Sequence, residues 1–157
     1  LEAGYPRNCV YSPTDIPGDM DEPAFIQSVL KQQVTVMAGP FITASISGKS
    51  FGETVSVKGG RADLDITVQA PSWLTFDKVT VLVGGKEAAS FDVQGRETPV
   101  RFKRTVPISA AADTWVIVVA EGADDLFPVY PGAHSYSFTN PIYLDVDGNG
   151  EYDAPVK

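Results

Sequence analysis

The chain has 157 residues, 43% of them hydrophobic, which suffices for one main domain with a single sizeable core. Twelve Lys and Arg against twenty Asp and Glu give a formal net charge of −8, which repels phosphate backbones, so nucleic acid is not an expected partner. The one cysteine, Cys9, rules out an internal disulfide and a thiolate metal cluster. No apolar run reaches the roughly 20 residues that a membrane-spanning helix requires.

In chain order, residues 1 to 20 are rich in Pro, Gly and Asp without periodicity and read as an extended lead-in. The opening LEAGYPRNCVY lacks the layout of a signal peptide, and Leu1 is not an initiator methionine, so the chain is expected to be processed or part of a longer polypeptide. A helix is predicted over about 22 to 32. Asp21 caps its exposed amides, Glu22 suits the positive helix end, Pro23 suits the first turn, and Phe25, Ile26, Val29 and Leu30 share one face.

From there the period changes to two. ADLDITV sets Leu64, Ile66 and Val68 on one side and Asp63, Asp65 and Thr67 on the other, the pattern of a half-buried strand. Similar runs occur near 35, 43, 55, 80, 90, 104, 117 and 140, most of them separated by Gly, Pro or Asp. Gly84 and Gly85 suit a tight hairpin, because only glycine takes positive φ there without steric cost. About nine short strands with such turns predict a mainly β fold, an antiparallel, immunoglobulin-like β-sandwich with one N-terminal helix.

Catalytic signals are sparse. His134 is the only histidine, so a general base or zinc site would rest on it together with carboxylates from elsewhere. No second histidine and no GxSxG-type motif accompanies it, and a structural or solvent-exposed histidine is the better reading. Arg101, Lys103 and Arg104 alternate with Val100 and Phe102 and read as the solvent face of a strand. Trp73 and Trp115 fit core or strand-end packing, with stacking on a glycan as the alternative, more so for Trp73.

The acidic ending leaves two readings open. Asp145, Asp147, Asn149, Glu151 and Asp153 fill positions 1, 3, 5, 7 and 9 of an EF-hand-type calcium loop, with Gly150 at position 6 for the sharp turn. Val156 stands at position 12, where a bidentate glutamate is expected, so tight binding requires a carboxylate from another part of the fold. The other reading is a charged turn whose Asp and Gly residues favour tight backbone angles.

GYPRNCV, VTVMAGPFITASISGK, APSWLTFDKVTVLVGGKE, DTWVIVVAEG and TNPIYLDVDGNG together resemble the carboxy-terminal region of PHP-type (polymerase and histidinol phosphatase-type) metal-dependent phosphoesterases, in the carbaryl-hydrolase-like branch. The resemblance covers almost the whole chain. It is most specific at Gly39, Pro40 and Phe41 and at the TNPI-plus-acidic ending. Gly4, Pro6 and Arg7 are similar to the GxPR stretch that follows the last ligand motif of the catalytic domain, with Asn8 in place of Thr.

The resemblance implies an upstream, barrel-like catalytic domain that holds metal ions through histidines and acidic residues, followed by a β-sandwich. One histidine cannot build that site, so no catalytic residue carries over, and the chain is expected to be non-catalytic. Residues 1–40 are then a lead-in and helix at the tail of the catalytic domain, and 41–157 the sandwich. The implied partner is the catalytic domain of the same polypeptide, in a secreted or periplasmic setting. The alternative is a stand-alone carbohydrate- or surface-binding module with a calcium-stabilised loop.

Overall fold

A computed structural model describes residues 6–95 and 97–153. Gly4 and Val156, on which two of the expectations above bear, lie outside them. In chain order the elements are β1 (Arg7–Val10), α1 (Glu22–Leu30), β2 (Val34–Ala38), β3 (Phe41–Ile46), β4 (Thr54–Ser56), β5 (Arg61–Gln69), β6 (Lys78–Val83), β7 (Lys86–Asp92), β8 (Val100–Ser109), β9 (Thr114–Leu126), β10 (Tyr130–Thr139) and β11 (Ile142–Asp145), with a 3-10 turn at Pro17–Asp19.

Alternation decides which side of each strand faces inward. In β5, Leu64, Ile66 and Val68 are fully buried while Asp63 and Asp65 are exposed, as the period of two predicts. β5 lies at the centre of a three-stranded antiparallel sheet in the order β3-β5-β8.

A larger sheet faces it, built around β9. Val116 of β9 lies opposite Val83 of β6 on one side and Ile142 of β11 on the other; three residues on, Val119 lies between Thr80 of β6 and Phe138 of β10. Strands β10 and β11 therefore run end to end along one edge of β9. They are interrupted at Asn140 and Pro141, where proline has no amide to give the ladder. β2 continues the sheet beside β10, β1 lies outside β2, β4 lies beside β11, and β7 borders β6. All pairings are antiparallel except the parallel one between β4 and β11.

The core fills the space between the sheets. Ile42, Ile46, Leu64 and Ile66 from the small sheet meet Val79, Val81, Val116, Val118, Ile142 and Leu144 from the large one, all buried. Each such side chain stabilises the fold by about 1.5–3 kcal/mol through area removed from water. The mainly β, two-sheet sandwich with one helix agrees with the sequence.

Several local expectations need refinement. The lead-in holds a strand: β1 lacks alternation and exists through its pairing with β2, so segments on both sides of α1 belong to the large sheet. Arg104 is exposed like Lys103, and its guanidinium lies 4.6 Å from the ring centroid of Phe91 and 5.7 Å from that of Phe102. Arg101 donates to the carbonyls of Gly95 and Pro71, tying two loops together. The Gly84–Gly85 turn has positive φ at both residues, as the hairpin requires.

Helix α1 starts as predicted, with Asp21 Oδ2 accepting from the amide of Ala24 at 3.1 Å. It ends where Gln32 takes a φ of 60° and the chain turns beneath Gly52. A Cβ at Gly52 would come within 1.6 Å of the Lys31 carbonyl oxygen, so only glycine fits that crossing. The apolar face of the helix is the surprise: Ser28 is its one buried residue, and Phe25, Ile26, Val29 and Leu30 are exposed. No helix among the described residues is long and apolar enough to cross a membrane.

Candidate metal centre

The register that builds the large sheet also builds an acidic site. β11 pairs with β9 through Ile142–Val116, Tyr143–Trp115 and Leu144–Thr114. One further step along the same ladder sets Asp145 beside Asp113, in the turn between β8 and β9. Asp113, Asp145 and Asp147 each bring a carboxylate oxygen within 4.8 Å of the others, and they are the group among the described residues whose donors converge in a metal-like way. Calcium sits about 2.3–2.6 Å from its oxygen ligands, so oxygens sharing one ion lie within about 5 Å of each other. The all-oxygen set suits a hard cation, with no histidine or thiolate to favour zinc.

Backbone amides hold the carboxylates in place. Asp145, fully buried, accepts from the amide of Gly148 at 2.6 Å through Oδ1 and from that of Gly150 at 2.9 Å through Oδ2. Both glycines have positive φ, which folds their N–H groups back onto the carboxylate. Asp113 accepts from the amides of Val146 at 2.8 Å and Asp153 at 3.0 Å. These amides, that of Asp153 foremost, hold the Asp113 carboxyl below its ordinary pKa. Two unit charges 4 Å apart repel by about 1 kcal/mol in water and about 4 kcal/mol near a protein surface. Four amides favour the charged carboxylates, and a bound cation would do the same.

Of the five sequence-derived ligands, Asp145 and Asp147 enter the cluster. Asn149 instead bridges its neighbours, donating through Nδ2 to Asp153 Oδ2 at 2.8 Å and accepting through Oδ1 from the Glu151 amide at 2.7 Å. The Glu151 side chain is exposed. Asp113 was not found from the sequence. From the β8–β9 turn it brings a carboxylate from outside the loop to within 4.8 Å of those of Asp145 and Asp147. The only route to it was the β9–β11 pairing, a contact between segments about 30 residues apart.

Beside this loop, Trp115, Ile117, Phe138, Tyr143 and Tyr152 line a groove of about 460 Å³ on the outer face of the large sheet. The rings of Tyr143 and Tyr152 meet at a tilt of 38° with centroids 4.7 Å apart, and Tyr143 Oη donates to Gln32 Oε1 at 2.7 Å. Trp115 thus belongs to an aromatic cluster, while Trp73 stands half-exposed in the loop before β6. His134 lies on β10 with Nδ1 3.3 Å from the Asp124 carbonyl oxygen, outside the acidic cluster. A further cleft of about 400 Å³ opens between the edges of the two sheets, lined by Cys9, Tyr11, Thr35, Phe41, Phe51 and Glu53. Glu53 there is held by the Ser50 amide and by Lys49, which depress its pKa, and no histidine lines the cleft.

No family model matches the chain, and no curated protein matches it. Among solved structures, the crystal structure of an engineered protein is similar at 17% identity and a TM-score of 0.36, over 69% of this chain and 21% of that one. The chain therefore spans about a fifth of that protein's length.

Proposed function

We propose that this chain is a non-catalytic β-sandwich accessory domain of a PHP-type metal-dependent hydrolase, secreted or periplasmic, that packs on and stabilises a neighbouring catalytic domain. The family in this reading comes from the sequence resemblance. The packing role is supported by one observation: the apolar face of α1, which any freestanding domain gains by burying, lies open to solvent. In the same reading a calcium ion is held by Asp113, Asp145 and Asp147, where it offsets two of the three converging negative charges and ties the C-terminal loop to the start of β9. That role is structural, and no reaction step passes through it.

The test is amide exchange across residues 22–30 in the full-length parent polypeptide and in the 157-residue chain. Slower exchange in the parent is expected. Equal exchange in both, or a gene that encodes nothing upstream, refutes the reading.

The aromatic groove favours a second reading, a carbohydrate-binding module, because ring faces flanked by tyrosine hydroxyls suit the apolar and polar sides of a pyranose. Titration of soluble oligosaccharides against tryptophan fluorescence, with Tyr152→Ala as the comparison, decides it. No change with any sugar removes this reading.

A further inference from the structure

Two sulfur atoms meet at the edge of the large sheet. The Cys9 thiol on β1 donates to Met37 Sδ on β2 at 3.1 Å, and both side chains are half-buried, so small solutes reach them from water. Cys9 also lines the cleft of about 400 Å³ between the sheet edges. A thioether is a weak acceptor, and the unbranched methionine side chain is free to leave such a contact by rotation about its own bonds.

On its other side, β2 sets Met37 directly opposite Ser137 of β10. Residues paired in this way put their side chains on the same face, with Cβ atoms about 4.5–5.5 Å apart. That face of β10 carries buried hydroxyls at Ser135, Ser137 and Thr139. Ser135 Oγ donates to the Thr75 carbonyl at 2.7 Å, and Thr139 Oγ1 accepts from the Val118 amide at 3.0 Å. Ser137, fully buried between them, has no hydrogen-bond partner. Leaving a buried hydroxyl unpaired is costly, so a native fold that keeps one needs a reason for it.

We propose that Met37 is a site of reversible oxidation by hydrogen peroxide, with the Ser137 hydroxyl as the donor that receives the product. The thioether sulfur gives an electron pair to one peroxide oxygen and the O–O bond breaks. The departing hydroxide takes the proton left on the sulfur-bound oxygen and leaves as water, so sulfur is oxidised and peroxide reduced. The sulfoxide oxygen, a far stronger acceptor than the thioether, then turns from Cys9 to Ser137 Oγ. A polar group is tolerated inside a fold when it is hydrogen-bonded, so the oxidised chain keeps its packing where the sulfoxide of an ordinary core methionine would disrupt it. The inference stands on β1, β2 and β10 alone and is independent of the accessory-domain reading.

The test uses the 157-residue chain. Peptide mass mapping after exposure to hydrogen peroxide should find an added oxygen on Met37, later than on Met20, the other methionine, which is 62% exposed. Thermal unfolding is then followed before and after oxidation in a chain carrying Cys9→Ala and Met20→Leu, which leaves Met37 as its one sulfur, with and without Ser137→Ala. Before oxidation, Ser137→Ala should not lower Tm, because the hydroxyl it removes bonds nothing. After oxidation, Tm should fall by about 5 °C more with Ser137→Ala than without it, the effect of one lost hydrogen bond to a buried polar group. Full oxidation of Met20 with Met37 untouched overturns the proposal. A fall that is equal in the two chains, or larger in the one that keeps the serine, overturns it as well, because the sulfoxide then finds no donor at Ser137.

Discussion

Residues 11–30 and residues 145–153 each contain four acidic side chains among glycines, prolines and small polar residues, yet they fold in opposite ways. In the C-terminal stretch, Asp145 closes a strand that β9 holds in register, and the loop wraps so that the amides of Gly148 and Gly150 point at its carboxylate. In the N-terminal stretch, the chain is anchored by the four residues of β1 and by one capping carboxylate on α1, and its apolar side chains stay open. The difference lies in the anchor. An acid at the end of a paired strand can be surrounded by backbone donors, while one in a lead-in or at the first turn of an exposed helix remains solvated.

Replacing the anchored acid breaks this contrast most sharply. Asp145→Ala leaves two inward-turned amides without their charged acceptor and should cost about 3 kcal/mol, a fall in Tm on the order of 10 °C for a domain of this size. Asp19→Ala, at the other end, should stay within about 0.5 kcal/mol. Thermal unfolding of the two variants side by side checks the comparison, and equal losses would sink it.

Calcium should sharpen the same contrast by a somewhat smaller amount. An ion that binds only the folded state stabilises it by about 2.7 kcal/mol at 100 times its Kd. The Tm should therefore rise in millimolar calcium and fall back with EDTA. Asp147→Ala removes an exposed ligand without touching the buried amide acceptor, so it should abolish the calcium response while changing Tm little in EDTA. If neither calcium nor EDTA moves the Tm of wild type or variant, the loop is only a turn.

How far each region could be read beforehand follows from the range of the contacts that define it. Leu64, Ile66 and Val68 alternate with Asp63 and Asp65, and a period of two is a local property, so β5 was legible. The cap at Asp21 and the Gly84–Gly85 turn were legible for the same reason. β1 was not, because RNCV carries no alternating pattern and gains its strand conformation from β2, more than twenty residues away. Asp113 was equally hidden: the acidic motif announced a deficit at its twelfth position, but the residue beside Asp145 is set by how β9 pairs with β11. The helix shows the converse limit. Its periodicity revealed an apolar face, and nothing local says whether the rest of the fold covers that face.

The pH dependence of stability probes the anchored end by another route. Asp113 has a depressed pKa in the folded state because the Asp153 and Val146 amides favour its charged form. Its contribution is therefore present above the ordinary Asp pKa of about 3.9 and is lost as pH falls through the lower folded value. Asp113→Asn should flatten the decline of stability in that acidic window. Glu53 has a depressed pKa of the same sign, held by the Ser50 amide, so the variant should remove only part of the slope. A wild-type profile superimposable on that of Asp113→Asn would show that these amides add no pH-dependent stability.

The smallest effect on stability belongs to the unanchored end, and its smallness is informative. Leu30 is the most exposed side chain of the apolar face of α1, at 68%. Leu30→Ser in the 157-residue chain should change stability by no more than about 0.5 kcal/mol, because little apolar area returns to water when an exposed side chain is shortened. If α1 is a docking element, the same substitution in the parent polypeptide should cost more, on the order of 1–2 kcal/mol for a side chain buried at an interface. Measuring the variant in both settings turns a negligible local change into a reading of what the helix covers. An equally small loss in both would mean that Leu30 stays in water in the assembled protein, and that the apolar face of α1 is not where the domains meet.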